Sequence, residues 1–335
     1  MEFPRLLSCP WVVRALAPLE AGYRLGLRLD DCRRRRHVAA GVWPQRLPCR
    51  VISIGNLVVG GVGKTPLVEA IAREWLRRGG RPAILSRGYR GGAGGNDEYR
   101  LLVRRLAEVP HRQHPDRYRA GLELLRERPD IDLILLDDGF QHRRLHRDLD
   151  LVALDLTRPF GYGHCLPRGL LREPWQALGR ADAFILTRGE DCSPIKRAIV
   201  ETFLRERFPR TPRIAARLRF EGLRGPSGAS GDMAPSRRWA AFAGIGNPDA
   251  FFRSLPLWGI QPVAARSYPD HHGFTAADLE HLVTWARSQR ADALVCTEKD
   301  GVKLEALPGF AELALPCYQV QIGFDLGQPH PLDLR

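Results

Sequence analysis

The sequence predicts an α/β protein: a three-layer α/β/α domain on a parallel sheet, a second and smaller α/β domain after it, and amphipathic helices ahead of both. Three observations carry this prediction. From residue 50 onward, short β-rich apolar runs alternate with helical patterns, as in a parallel sheet covered by helices on both faces. A Gly/Ser/Pro-rich stretch at 222–236 interrupts the alternation, and a shorter series of the same kind follows it. The length of 335 residues, with 44% apolar content, is enough for about two cores at roughly 150 residues per domain. The boundaries read as 1–48 for a basic amphipathic segment, 49–215 for the first α/β domain and 216–335 for the second.

Taken in order, the first element is helical. At about 100° per residue, Trp11, Val12, Ala15, Leu16, Leu19, Tyr23 and Leu27 fall within about 160°, and Arg14, Arg24 and Arg28 gather on the far side. Pro10 and Pro18 each suit a first helical turn, which favours two short helices over one long one. The run Arg33 to Arg36 follows directly. Two readings fit this pattern: a surface helix packed on the domain, and an interfacial helix with a polybasic flank on acidic lipid. Periodicity does not separate them.

The later elements follow from the alternation. Strands are expected over 50–54, 82–85, 131–136, 149–154 and 183–187, with helices at 66–78 and 117–128. In the second domain strands are expected at 239–243, 262–266 and 293–296, and helices at 248–254 and 276–288.

Charge and cysteine content narrow the class. The chain carries 51 Lys+Arg against 38 Asp+Glu, a net +13, and residues 1–50 hold ten Arg against four acids. A basic chain favours nucleic acid, an acidic membrane or a phosphorylated substrate, and charge alone does not choose. Only four of the cations are Lys, so Arg clusters carry little weight by themselves. Seven cysteines without a C-x-x-C spacing exclude a zinc-ribbon pattern and a disulfide framework and fit a reducing cytoplasm. No uncharged apolar run is long enough to span a bilayer, and no signal-peptide core precedes the first domain.

The strongest local signal runs from Val51 to Pro66: a β-rich run, a glycine loop ending in Gly63-Lys64-Thr65, and a helix. This is the context of a P-loop. The backbone N–H groups of Gly60, Gly61, Val62, Gly63 and Lys64 can wrap phosphate oxygens, Lys64 can reach the β/γ-phosphates, and the Thr65 hydroxyl can ligate Mg²⁺. The usual pattern has glycine where Val58 stands, so the match is to the G-G-x-G-K-T variant. A second apolar run ends in Asp137-Asp138, which places two carboxylates at the C-terminal edge of a strand, where open α/β sheets bind ligands and where Mg²⁺ can be held. The absence of an N-K-x-D string favours ATP over GTP, the nearest string being Thr297-Glu298-Lys299-Asp300.

Several motifs in order resemble the tetraacyldisaccharide 4'-kinase (lipid A 4'-kinase) family. They are the loop from Gly55 to Pro66, Ser86-Arg-Gly-Tyr-Arg90, Asn96-Asp-Glu98, Asp137-Asp-Gly-Phe-Gln-His-Arg143, the segment Leu166 to Pro174, Phe242-Ala-Gly-Ile-Gly-Asn-Pro248, Asp270-His271 and Thr297-Glu-Lys-Asp300. The family also lacks glycine at the Val58 position. The resemblance implies transfer of the ATP γ-phosphate to the 4'-hydroxyl of a tetraacyl disaccharide 1-phosphate, with ATP and Mg²⁺ required. A sugar hydroxyl is a poor nucleophile near neutrality, so a base must take its proton. The family's G-D-E-P aspartate matches Asp97, and its D-H histidine matches His271, with His272 one position away as the alternative. This dyad is expected to span the two domains and to assemble as they close on substrate. The chain departs from the family's string by Asn96 for Gly and Tyr99 for Pro.

By the same resemblance, Asp137, Asp138, His142 and Glu173 match groups near Mg²⁺ and nucleotide. Arg172 and Arg117 match cations that stabilise transferring phosphate or the substrate's 1-phosphate, Tyr89 lines the acceptor site, and Arg87 and Gln141 are second choices. A four-chain lipid leaves a bilayer only at high cost, at about 0.8 kcal/mol per methylene, so the resemblance favours the interfacial reading of the N-terminus. The expected setting is peripheral, on an acidic surface at the cytoplasmic face of the inner membrane, with no nucleic acid and no obligatory protein partner. The competing class is a P-loop ATPase switch acting on a membrane-bound partner, which gives no role to Asp97 and His271.

Overall fold

The computed structural model describes residues 10–88, 95–226, 228 and 237–334. The described residues divide into two compact units: those within 1–90, 105–217 and 324–335 form the first, and those within 91–104 and 218–323 form the second.

The first unit carries β1 (Arg50–Asn56), β2 (Pro82–Ser86), β3 (His111–Gln113), β4 (Leu133–Asp137), β5 (Leu149–Asp155), β6 (Ala183–Thr187) and the start of β7 (Arg213–Arg224). All pair parallel in the order β3-β2-β4-β1-β5-β6-β7, with β1 central. Strands β2, β4, β5 and β6 are buried at every position, and β1 at all but its first. Two covered faces explain why these strands read as continuous apolar runs rather than alternating ones. The register sets Ile54 beside Asp137 and Asn56 beside Ala153, so the C-terminal ends of β1, β4 and β5 present their loops together.

Two helices open the described chain, α1 (Pro10–Ala15) and α2 (Ala17–Ala39). The prolines do divide the segment, but the second helix is long, at 23 residues. The predicted apolar arc splits. Leu16 and Tyr23 turn inward onto the core cluster of Leu57, Val58, Phe140 and Leu171, and the Tyr23 hydroxyl donates to the Arg172 carbonyl at 2.8 Å. Trp11 and Leu19 turn outward, joined by Leu25 and Leu29, at 77, 59, 56 and 64% exposure. The cause is Glu20, buried on the inner face, where its carboxylate accepts from the Cys165 N–H at 3.0 Å and pairs with Arg168 at 3.2 Å. No helix among the described residues is long and apolar enough to cross a membrane.

The remaining helices of the first unit are α3 (Lys64–Arg77), α5 (Arg117–Glu127) and α6 (Pro194–Arg207); Asp116 caps α5 and Ser193 caps α6. The second unit carries β8 (Trp239–Ala243), β9 (Pro262–Ser267), β10 (Ala293–Thr297) and β11 (Cys317–Leu326), parallel in the order β11-β10-β8-β9. Its helices are α7 (Pro248–Leu257), α8 (Ala276–Ser288) and α9 (Glu298–Leu304), together with α4 (Asp97–Arg105), which belongs to this unit in all but its last residue. Arg104 secures α4 there through Glu298 and Glu305, each at 3.0 Å.

Candidate active site

In the first unit β1 ends at Asn56, the glycine loop follows, and α3 begins at Lys64. Gly63 caps α3 at φ 86°, and a Cβ there would lie 2.9 Å from the Phe324 ring, so backbone conformation and space both demand glycine. The first N–H groups of α3 have no intrahelical acceptor and carry the positive end of the helix dipole, which suits this end to an anion.

The loop is fastened on two sides. On one, Arg172 N donates to the Leu57 carbonyl and Val59 N to the Leu170 carbonyl, each at 2.8 Å, which gives the Leu166-to-Pro174 motif its role as a wall of the phosphate loop. On the other, the Thr187 hydroxyl donates to the Val62 carbonyl at 3.1 Å. Arg188, at φ 55°, pairs with Asp155 at 3.0 Å and reaches the Gly61 carbonyl at 3.5 Å. Asn56, Thr187 and Arg188 were not singled out from the sequence; the only signal for the latter two is their place at the end of a predicted strand.

Lys64 donates to Asn56 Oδ1 at 3.1 Å and lies 3.5 Å from Asp138 Oδ1. Asp138, at φ 55°, also receives Arg172 Nη1 at 2.9 and 2.7 Å. Burial alone would raise the Asp138 pKa, but Lys64 and Arg172 outweigh it and hold the carboxyl below its ordinary range. Gln141 donates to the Asn56 carbonyl at 3.0 Å. Asp137 is buried at the end of β4.

The other candidates around the loop are committed to protein partners. Both oxygens of Glu173 face Arg180 at 2.9 Å. His142 Nδ1 accepts from the buried Arg117 guanidinium at 3.2 Å; burial and then the charge of Arg117 push the His142 pKa down to about 3, so the ring is neutral. Arg117's own pKa is lowered, first by burial and then by Arg87. Magnesium takes oxygen ligands and is commonly bound through one or two carboxylates plus phosphate oxygens. Thr65, Asp137 and Asp138 supply that donor chemistry; a ring nitrogen does not. Among the described residues no three His, Cys, Asp or Glu side chains form a metal-holding group on their own. Tyr89 lies outside the described residues.

The second unit holds the other expected pair, and both members belong to it. Asp97 opens α4, and His271, at φ 58°, places Nδ1 3.5 Å from Asp97 Oδ2. The pair is therefore assembled within one unit and does not depend on the meeting of two, as the domain boundaries had implied. His272 turns instead to Asp278, at 3.4 Å, which settles which of the two histidines faces Asp97. Lys303 Nζ also lies 3.5 Å from Asp97 Oδ2. Burial would raise the Asp97 pKa; the His271 hydrogen bond and the charges of Lys303 and Lys299 reverse this, and the net shift is downward.

The two departures from the family string explain each other. The Tyr99 N–H donates to Asn96 Oδ1 at 2.9 Å, the bond of a helix N-cap. Proline at 99 has no N–H to donate, and glycine at 96 has no side chain to accept.

Comparison with known proteins identifies the family. The family model described as tetraacyldisaccharide-1-P 4'-kinase matches residues 12–333. A tetraacyldisaccharide 4'-kinase of Syntrophus aciditrophicus is 39% identical, over 88% of this chain and 84% of its own length. That of Geobacter metallireducens is 37% identical over 96% of each chain. A crystal structure of LpxK from Aquifex aeolicus in complex with ATP aligns at a TM-score of 0.73 with 29% identity, covering 96% of this chain and 97% of that one. With the phosphate loop, the paired aspartates and the Asp97–His271 pair in the order those motifs predict, the chain belongs to the tetraacyldisaccharide-1-P 4'-kinase family.

Proposed function

We propose that this chain transfers the γ-phosphate of ATP to the 4'-hydroxyl of a tetraacyldisaccharide 1-phosphate, with Asp97 as the base that receives the hydroxyl proton. The observation that carries the assignment is the Asp97–His271 contact: an ionised carboxylate held by a histidine, in a chain that also carries a phosphate loop. An ATPase switch needs the loop but has no use for the pair.

Each residue then has a task. The amides of Gly60, Gly61, Val62 and Gly63 and the first turn of α3 cradle the β- and γ-phosphates, and Lys64 offers its ammonium to the oxygens that gain charge. Thr65, Asp137 and Asp138 are the groups that would hold Mg²⁺, which when bound neutralises phosphate charge. Arg172, now paired with Asp138, and Arg117, dehydrated beside His142, supply cations to phosphate groups. Asp97 orients the acceptor hydroxyl and takes its proton as the bond to phosphorus forms, and His271 holds the carboxylate in line. His142 and Glu173 act through Arg117 and Arg180 in this scheme.

The outward apolar stripe on α1 and α2 meets an acidic bilayer, with Arg33 and Arg36 following on the same face of α2. In this reading the enzyme works peripherally on the cytoplasmic face of the inner membrane, where its lipid substrate resides, without need of a protein partner. The test is transfer of γ-³²P from ATP to purified tetraacyldisaccharide 1-phosphate by the wild type, Lys64→Ala and Asp97→Ala. Labelled lipid from the wild type, reduced at least 100-fold in each variant, is expected. No labelled lipid from the wild type would sink the assignment.

A further inference from the structure

The Thr297-Glu-Lys-Asp300 motif and the Phe242-to-Pro248 motif have no task in the scheme above, yet both converge on Asp97. Strand β10 ends at Thr297, which caps α9, and Asp300 in the first turn of α9 is fully buried. Asp300 Oδ2 accepts from the Gly244 N–H at 2.9 Å and the Thr297 hydroxyl at 2.8 Å. A Cβ on Gly244 would come within 3.1 Å of Asp300 Oδ1, so the glycine admits the carboxylate. Asp300 Oδ1 faces Lys303 Nζ at 3.4 Å, and the Lys303 side chain is only 9% exposed. The same ammonium lies 3.5 Å from Asp97 Oδ2.

One turn earlier on α9, Lys299 stands 3.5 Å from His271 Nε2 and 3.4 Å from Glu98 Oε1. An ammonium only donates, so Nε2 is the accepting nitrogen and Nδ1 carries the hydrogen that points to Asp97. The Lys303 ammonium and the His271 Nδ1–H both face Oδ2, each at 3.5 Å.

We propose that Lys303 is a positioning residue for the Asp97 base, an ammonium anchored by buried Asp300 that fixes the carboxylate through Oδ2 and turns Oδ1 to the acceptor hydroxyl. Lys299 completes the device by selecting the His271 tautomer. The proposal rests on the assignment of Asp97 as base. The charged and titratable groups that face Asp97 are His271 from the loop before α8, Lys299, Lys303 and Asp300 from α9, and Glu98 from α4 itself. Phosphoryl transfer through a loose transition state asks the base for placement more than for strength, so a cation that weakens the base still serves the reaction by holding it.

The test compares Lys303→Met, Lys303→Gln and Asp97→Asn in the wild-type background. Each is assayed for kcat, for KM of ATP and for the acid limb of the kcat–pH profile, with melting curves as the control for folding. Lys303→Met should lower kcat by about 10- to 100-fold while KM for ATP stays within about threefold. Its acid limb should move to higher pH, by about one unit, because the carboxyl loses its cation and ionises later. Lys303→Gln keeps a donor of similar reach, carries the same readouts where the Met variant does not fold, and should show the same displaced limb. Wild-type kcat and an unmoved limb in a folded Lys303 variant, beside an inactive Asp97→Asn, would overturn the proposal. An Asp97→Asn enzyme with near wild-type kcat would instead remove the base assignment beneath it.

Discussion

Replacing Leu19, Leu25 and Leu29 together by Gln should detach the protein from acidic vesicles while leaving it folded. The three leucines are 59, 56 and 64% exposed, and Trp11 at 77% continues their line. Full burial of a leucine contributes about 2 kcal/mol, so burying the exposed portions contributes roughly 1 kcal/mol each. The sum of about 3 kcal/mol corresponds to roughly a 100-fold change in partitioning. Gln has nearly the helix propensity of Leu, so α2 itself should survive. The assay is co-sedimentation with vesicles containing acidic lipid, alongside kinase activity on detergent-dispersed substrate, which should change by less than about twofold. A matched control is Leu16→Ala with Tyr23→Ala, whose side chains pack on the core; this pair should lower the melting temperature and leave vesicle affinity nearly intact. If the inward pair abolishes vesicle binding and the outward triple does not, the assignment of faces is refuted.

Other expectations follow from single sites. Gly63→Ala should cost about 1–3 kcal/mol in stability or ATP affinity, because φ 86° disfavours a side chain and the Phe324 ring occupies its place; an unaltered melting temperature together with unaltered ATP affinity by calorimetry would contradict this. Burial pushes the His111 pKa down to about 4, against an ordinary 6.5. The folded state therefore binds this proton less readily than the unfolded chain, and stability that is fully present above 6.5 is lost as pH falls toward 4, by about 3 kcal/mol. Urea melts across that range should show a shallower decline for His111→Gln. Lysine-to-arginine exchange should lower kcat at least tenfold at positions 64 and 303 and leave it unchanged at exposed Lys196, as steady-state assays can read.

The parts of the fold legible in the sequence are those fixed locally. Strand β1, its glycine loop and α3 announce themselves by an apolar run, turn residues and a helical period, and β4 with its terminal aspartates does the same. What is set by distant contacts was hidden. Periodicity located an apolar arc on the N-terminal helices but not the division of its members, because that depends on Glu20 meeting Cys165 and Arg168 far along the chain. Residues 95–104 lie among elements of the first unit in sequence, yet they fold with the second, held by Arg104 to glutamates about two hundred positions away. The Asp97–His271 pair, expected to span two domains, lies within one unit for that reason. Chain order does not record such an excursion.

Composition gives the few lysines a meaning that the arginines lack. Of 51 basic residues only four are Lys. Lys196 serves the Thr157 carbonyl on the surface. The other three stand at the two functional centres: Lys64 on Asn56 and Asp138, Lys299 on His271 and Glu98, and Lys303 between Asp97 and Asp300. Arginine spreads its charge over a planar fork that needs space and in-plane acceptors, whereas an ammonium is a compact point charge on a flexible stem. Lys64 and Lys303 are 14 and 9% exposed, with carboxylates, and at Lys64 an amide oxygen, set around a single nitrogen, an arrangement that suits a point charge better than a fork. In a chain so heavily biased to Arg, the two largely buried places that hold Lys are therefore places where shape, and not charge alone, selects the residue. That Lys303 shares this property with the phosphate-loop lysine is an argument, independent of its distance to Asp97, for counting it among the residues that serve the reaction.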